Sequence, residues 1–319
     1  MMIVMNSLRV CLIASRVISN HRYVTRPRNK THKISKVNFR LIAKEEEEEE
    51  EVKRSMTRSD LIVNFVTKTR KEEGEEDEEE NERIVCADVG CGHGTHAIRI
   101  GQNKNVYKCF GIDKSVNEID YAKRFLKSLS LSEDVEQKIE FKIGDGLDEI
   151  DIEKERVRTI VLSGMGTKSI IKILKRAGLT NDTSSNSVRT LVLNPPAGEL
   201  VDFRKWLWRN GWHIVDEALC VENECAHVVL KAQRRASSEN QNVCLQQQQS
   251  ILDLWLGNKL KEQRNDSNVI LYAKNRRDYA KEMMMVKKNS IRDDDEDSDS
   301  DEIDYRKAFE ALEQFLDRR

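Results

Sequence analysis

Gly90, Gly92 and Gly94 occupy alternate positions in ADVGCGHGTHAIRI, residues 87–100. An apolar run precedes them and a helix-like run follows. Glycines there let the chain turn sharply and bring backbone N–H groups close to a ligand at a helix N-terminus. Dinucleotide and methyl-donor sites share this pattern, because both ligands carry a ribose and an adenine. Two carboxylates further on suit those parts. Asp113 closes the strand-like GID, where it can accept from both ribose hydroxyls. Asp145, beside Gly146 in GDG, can accept from an adenine amino group. Hydrogen bonds to an ionised acceptor contribute about 1.5–3 kcal/mol each. Asp88 separates the two ligands. It stands just before the loop, where it repels a pyrophosphate but attracts a sulfonium or ammonium directly or through water. The expected cofactor is S-adenosyl-L-methionine. A carboxylate that caps the loop is a second role for Asp88, and the two are compatible.

These residues need a scaffold that gathers strand ends. Residues 82–232 supply an alternating pattern. RIVCADVG, YKCFGID, KIEFKIGDG, VRTIVLSGMG and VRTLVLNPP read as strands. THAIRIG, SVNEIDYAKRFLKSLSL, TKSIIKILKRAG and ELVDFRKWLWRNG read as helices between or after them. Alternation of this kind implies a mostly parallel sheet covered on both faces, with ligands at the carboxyl ends of the strands. WHIVDEALCVE and CAHVVLKAQ follow with only a short polar link, so they should pair antiparallel at one edge. The expected fold class is α/β, a Rossmann-like seven-strand class I methyltransferase sheet with a C-terminal helical, coiled-coil-like extension.

With those elements placed, ADVGCGHGTHAI, GDGL, TIVLSGMGTKSIIKIL and LVLNPPAGELVDFRKWLWRNGWHIVDEALCVENECAHVVLKA together resemble the bacterial tRNA (adenine-22-N1)-methyltransferase family. The similarity spans about residues 82–232. The GMG, WL…NGW and VDEAL blocks are its specific part, and the glycine loop is generic. His93 matches the family's loop histidine. Gly92 stands where the family has an acid, Thr167 where it has a second glycine after GM, and NPPA where it has a Q-P-N form. The resemblance implies methylation of adenine N1 in tRNA with S-adenosyl-L-methionine, and a helical C-terminus that helps grip the tRNA body.

Adenine N1 has a free lone pair, so no strong base must deprotonate it. The enzyme must instead unstack the base and hold it. The loops after strands four and five are the expected acceptor wall: Gly164, Met165 and Gly166, then Asn194, Pro195 and Pro196. Gly164 also borders the donor. Met165, Asn194, Pro195 and His93 are the candidate catalytic residues, with His93 equally suited to stabilising the loop. NPP also invites another reading. Enzymes that methylate exocyclic amines of RNA, DNA or protein glutamine use [DN]-P-P followed by an aromatic residue. Here the motif follows strand five and Ala197 replaces the aromatic. A third reading, motivated by Gly92 and Thr167, is a donor-binding RNA module without turnover. Lys168, Lys172, Lys175 and Arg176 recur along one helix and would suit RNA phosphates. Trp206 and Trp212 have core-packing spacing, and Trp208 points elsewhere.

The rest of the chain bounds these readings. Of 56 acids among 319 residues, 23 lie in three runs at 45–51, 72–80 and 293–302. Lysine and arginine, 54 in all, exceed the remaining acids, as suits a nucleic-acid partner. Seven cysteines form no CxxC pair and no zinc spacing, so a reducing compartment and no metal are expected, with Cys220 and Cys225 flanking a turn. No apolar run is long enough for a membrane span. Residues 1–44 are basic and acid-free, the composition of a mitochondrial or plastid transit peptide; without one the chain would be cytoplasmic. Residues 45–81 read as an acidic linker with a lead-in helix carrying Met56, Leu61, Ile62 and Phe65. Residues 233–250 read as a polar linker. Residues 251–319 read as two helical segments, about 251–288 and 303–318, around an acidic insert. Tyr305, Ala308, Leu312, Phe315 and Leu316 form one stripe there, and Met283 to Met285 read as helix packing.

Overall fold

The computed structural model describes residues 56–68, 84–180, 187–234, 249–290 and 305–317. The leader at 1–44, the three acid runs and most of the polar linker lie outside the described residues. The lead-in helix is α1, Arg58–Thr67. Thr57 caps it, accepting from the Asp60 amide while Asp60 reaches back to the Thr57 amide. Leu61, Ile62, Phe65 and Val66 are its buried apolar residues.

β1 (Ile84–Val89), α2 (Thr95–Gly101), β2 (Val106–Asp113), α3 (Val116–Ser128), α4 (Glu133–Gln137), β3 (Ile139–Ile143), β4 (Thr159–Ser163), α5 (Thr167–Arg176), β5 (Thr190–Asn194) and α6 (Leu200–Arg209) follow. β6 (Trp212–Glu222) and β7 (Cys225–Arg234) close the sheet. The strand order is β3-β2-β1-β4-β5-β7-β6. The first five strands are parallel, and β7 runs antiparallel to both β5 and β6. Glu222 pairs with Cys225 across a two-residue turn in which Asn223 and Glu224 both have positive φ. That is the backbone a tight hairpin requires, and asparagine tolerates it well. Cys220 and Cys225 flank this turn.

Burial alternates along the strands with period two. Val85, Ala87 and Val89 of β1 face one core with Ile160, Leu162, Leu191 and Leu193. Cys86, Cys109, Val161 and Val192 face the other. Residues of α5 and α6 fill the first core, and those of α1, α2 and α3 the second.

The C-terminal segment departs from two plain helices. It comprises α7 (Ile251–Trp255), a 3₁₀ turn at Leu260–Glu262, α8 (Ser267–Ser290) and α9 (Tyr305–Asp317). Gly257 has φ +113 and breaks the first part. A Cβ there would lie 2.9 Å from Arg204 Nη2 and closer still to Glu217 Oε2. Trp255, Leu260, Val269, Ala273, Leu312 and Phe315 join the core that holds Phe203, Leu207 and Trp212. The helices therefore extend the core of the sheet domain, and Met56–Arg319 is one unit. Trp212 is fully buried, whereas Trp206 is half-buried and stacked on Phe203. Ala308, Leu312 and Phe315 are the buried part of the α9 stripe.

Candidate active site

A cleft of about 460 Å³ opens at the carboxyl ends of β1 to β4. Gly90, Asp113, Asp145, Gly146, Gly164 and Met165 line it. Parallel strands end on one edge, so four loops distant in sequence meet there.

The glycine loop is held from within. The amides of Gly90 and Cys91 donate to the Ile112 carbonyl at 2.8 and 3.0 Å. The Gly92 amide donates to Asp113 Oδ2 at 3.0 Å, and the Gly94 amide to the Cys91 carbonyl at 2.9 Å. These four N–H groups, which the sequence reading offers to a ligand, are engaged by the protein. What the glycines contribute is room. Gly94, with φ +77, begins α2, and a Cβ on it would lie 2.6 Å from Phe141 and 2.9 Å from Ala122. A Cβ on Gly90 would press on Met165 at 3.2 Å. The loop and Met165 thus lie against each other across the cleft wall.

Asp113 ends β2 with both oxygens oriented: Oδ1 accepts from the Ser115 amide at 2.9 Å and Oδ2 from Gly92. Each carboxylate oxygen has a further acceptor position for a ribose hydroxyl. Asp145 is tied to Arg176, whose Nη1 lies 2.8 Å from Asp145 Oδ2 and whose Nη2 donates to the Asp145 carbonyl. The hydrogen bond from Arg176 holds the Asp145 carboxyl below its ordinary range. Arg176 also pairs with Asp148 at 3.0 Å. It therefore braces the β3 loop while lining the cleft together with Lys172, and Lys168 and Lys175 are exposed.

Asp88 is 1 % exposed and does not line the cleft. It accepts from the Ala97 amide, and its Oδ2 has no partner. Burial, with a smaller contribution from the charge of Asp113, raises its pKa to about 7 against that hydrogen bond. The unfolded chain ionises this carboxyl near pH 4, so the associated stability is present below that pH and is lost as pH rises towards 7. Asp88→Asn is therefore expected to gain stability relative to wild type between pH 4 and 7, by at most about 1.4 kcal/mol per pH unit, with a constant difference above. Urea unfolding across that range measures it, and a pH-independent difference would contradict it.

The remaining candidates sit elsewhere. His93 Nε2 is 3.1 Å from Glu118 Oε2, and its ring centroid is 4.4 Å from that of Tyr121. These contacts brace the outer side of the loop. Asn194 is 3 % exposed, and its amide donates to the Val228 carbonyl at 3.0 Å. Pro195 is buried beside it. Neither lines the cleft. Asn194 joins β5 to β7, because its amide meets a strand carbonyl before any ligand. Glu199 was not legible as a site residue. It accepts from the Thr167 amide at 2.8 Å and the Thr167 hydroxyl at 2.5 Å, tying the β5 loop to the β4 loop.

A doubly covered sheet with five parallel strands, an antiparallel β6–β7 edge and a glycine-rich loop after β1 defines the class I methyltransferase fold. Residues 78–230 match the family model described as a methyltransferase domain. The fold is shared with the B. subtilis M1A22 tRNA methyltransferase TrmK: TM-score 0.58, 18 % identity, 83 % of this chain and 99 % of that one. It is shared too with M. capricolum TrmK solved with S-adenosyl-homocysteine: TM-score 0.53, 15 % identity, 82 % and 95 % coverage. No curated protein matches the chain by sequence. The cofactor of this class is S-adenosyl-L-methionine, and the residues present fit it. Asp113 faces the cleft with acceptor capacity for a ribose, and among the described residues no backbone amide donates to the carbonyl of Gly90, which also lines the cleft. Among the described residues no helix is long and apolar enough to cross a membrane, and no His, Cys, Asp and Glu group could hold a metal ion.

Proposed function

We propose that the protein methylates N1 of an adenine in tRNA, of the position-22 type. The observation that carries this reading is the reach of the fold match. It covers 83 % of this chain and 99 % of the B. subtilis enzyme. The cleft fits the chemistry. S-adenosyl-L-methionine supplies a methyl group activated on a sulfonium. Asp113 would hold the donor's ribose and the Gly90 carbonyl its ammonium, and Met165 narrows the cleft beside the loop. Adenine N1 attacks with its own lone pair, so alignment and exclusion of water are the protein's tasks. Lys114 and Lys172 at the cleft, with Lys168 and Lys175 beside it, provide positive charge for the RNA backbone.

Purified protein incubated with total RNA, organellar and cytosolic, and isotopically labelled S-adenosyl-L-methionine is expected to yield labelled 1-methyladenosine by nucleoside mass spectrometry. N6-methyladenosine, or methylated glutamine in added protein, would support the NPP reading instead. Donor binding with no product would support a donor-binding RNA module.

A further inference from the structure

We propose that Glu199 is the acceptor-side carboxylate of this enzyme, one that receives the exocyclic amino group of the target adenine and offsets the positive charge its ring acquires. The proposal rests on the adenine-N1 reading. Glu199 ends the 3₁₀ turn Ala197–Glu199 and is exposed. Its two oxygens have different surroundings. Oε2 accepts from both the amide and the hydroxyl of Thr167. No group among the described residues donates to Oε1. The side chain is thus anchored at one oxygen and open at the other.

The anchor places it on the acceptor side. Thr167 begins α5, and Gly166, its N-cap, has no side-chain hydrogen bond of its own. Glu199 caps this 10-residue helix from the neighbouring loop, where negative charge is favoured. Gly164 and Met165, three and two residues before Thr167, line the donor cleft. The Gly164 amide donates to the Asn194 carbonyl at 3.3 Å, which ties the same two loops together a second time. A base approaching the donor over Met165 passes between these loops. Thr167 replaces a glycine of the resembled family, and its hydroxyl adds the second hydrogen bond to the anchor.

The reaction makes such a carboxylate useful. The new bond joins adenine N1 to the methyl carbon as the carbon–sulfur bond breaks. Sulfur departs as a neutral thioether, the ring takes up one positive charge, and no proton is lost at N1. That charge spreads to the exocyclic nitrogen, whose N–H groups become stronger donors. A fixed carboxylate accepting from them binds the product-like ring better than the neutral base, which is the condition for lowering the barrier.

The test uses the full-length protein, a tRNA transcript that it methylates, and the same tRNA with purine, which lacks the amino group, at the methylated position. S-adenosylhomocysteine binding by calorimetry is expected to be unchanged in Glu199→Ala, Glu199→Gln and Thr167→Val. With the adenine tRNA, kcat should fall on the order of 10–100-fold in Glu199→Ala and Glu199→Gln, the size expected for one hydrogen bond to a charged group. Thr167→Val should fall less. Purine should cost wild type a similar factor and Glu199→Ala nothing further. A residue that only ties two loops together would leave the preference for adenine over purine intact in Glu199→Ala, and that result overturns the proposal. If wild type forms no 1-methyladenosine on any RNA, this proposal and the functional reading fall together. If it does, and the Glu199 variants match it, only the role of Glu199 falls.

Discussion

Asp113→Ala is expected to weaken S-adenosylhomocysteine binding by about two to four orders of magnitude. Two hydrogen bonds to a charged acceptor, at about 1.5–3 kcal/mol each, set that range. The site favours its upper part, because Asp113 is pre-oriented by the Ser115 and Gly92 amides and need not reorganise on binding. The alanine variant also releases the Gly92 amide, so the loop loses a tie to β2. Asp113→Asn separates the two effects. Its carbonyl can still accept from Ser115, while its amide group opposes the Gly92 N–H and cannot accept from a hydroxyl. Titration calorimetry with both variants, alongside a thermal melt, measures the loss. Wild-type affinity in a folded Asp113→Ala protein would remove the ribose role.

Arg204→Met is expected to destabilise the fold by about 3–5 kcal/mol, whereas Arg204→Met with Glu217→Leu should recover most of the loss. Arg204 and Glu217 have side chains 1 % and 0 % exposed. Arg204 Nε and Nη2 each lie 2.9 Å from Glu217 Oε1. Arg204 Nη1 donates to the Leu254 carbonyl at 2.8 Å, and Nη2 to the Leu256 carbonyl at 3.3 Å. Glu217 Oε2 accepts from the Lys259 amide at 3.1 Å. The pair therefore binds α6 and β6 to the chain around α7. Removing one partner strands a buried charge, and removing both leaves an apolar gap near Trp255. Urea unfolding of the singles and the double decides the matter. Additive losses would show that the pair is not coupled.

The sequence carried the donor half of the site further than the acceptor half. Asp113 and Gly90 are legible because each sits at the end of its own strand, and parallel strands end on one edge whatever their side chains pack against. Glu199 is not, since its partner Thr167 is 32 residues away and nothing in the spacing of either block shows that the two meet. Asn194 misled for the same reason. NPP reads as a ligand grip until β7 brings the Val228 carbonyl within reach. Arg204 left a faint signal. It lies on the stripe with Leu200 and Leu207, and a charge on an apolar helix face implies a buried partner. Which acid answers it is a matter of tertiary contact.

The alternation of apolar runs, the glycine-rich turn after the first strand and the acids closing the next two were enough to determine a methyl-donor sheet, because they depend on local backbone preference and on periods of two and 3.6 residues. Only the tertiary structure decided which oxygens and amides remain open to a ligand. A hydrogen-bonding group is free or engaged according to what the rest of the chain brings within about 3 Å of it, and spacing along one strand or helix does not contain that distance.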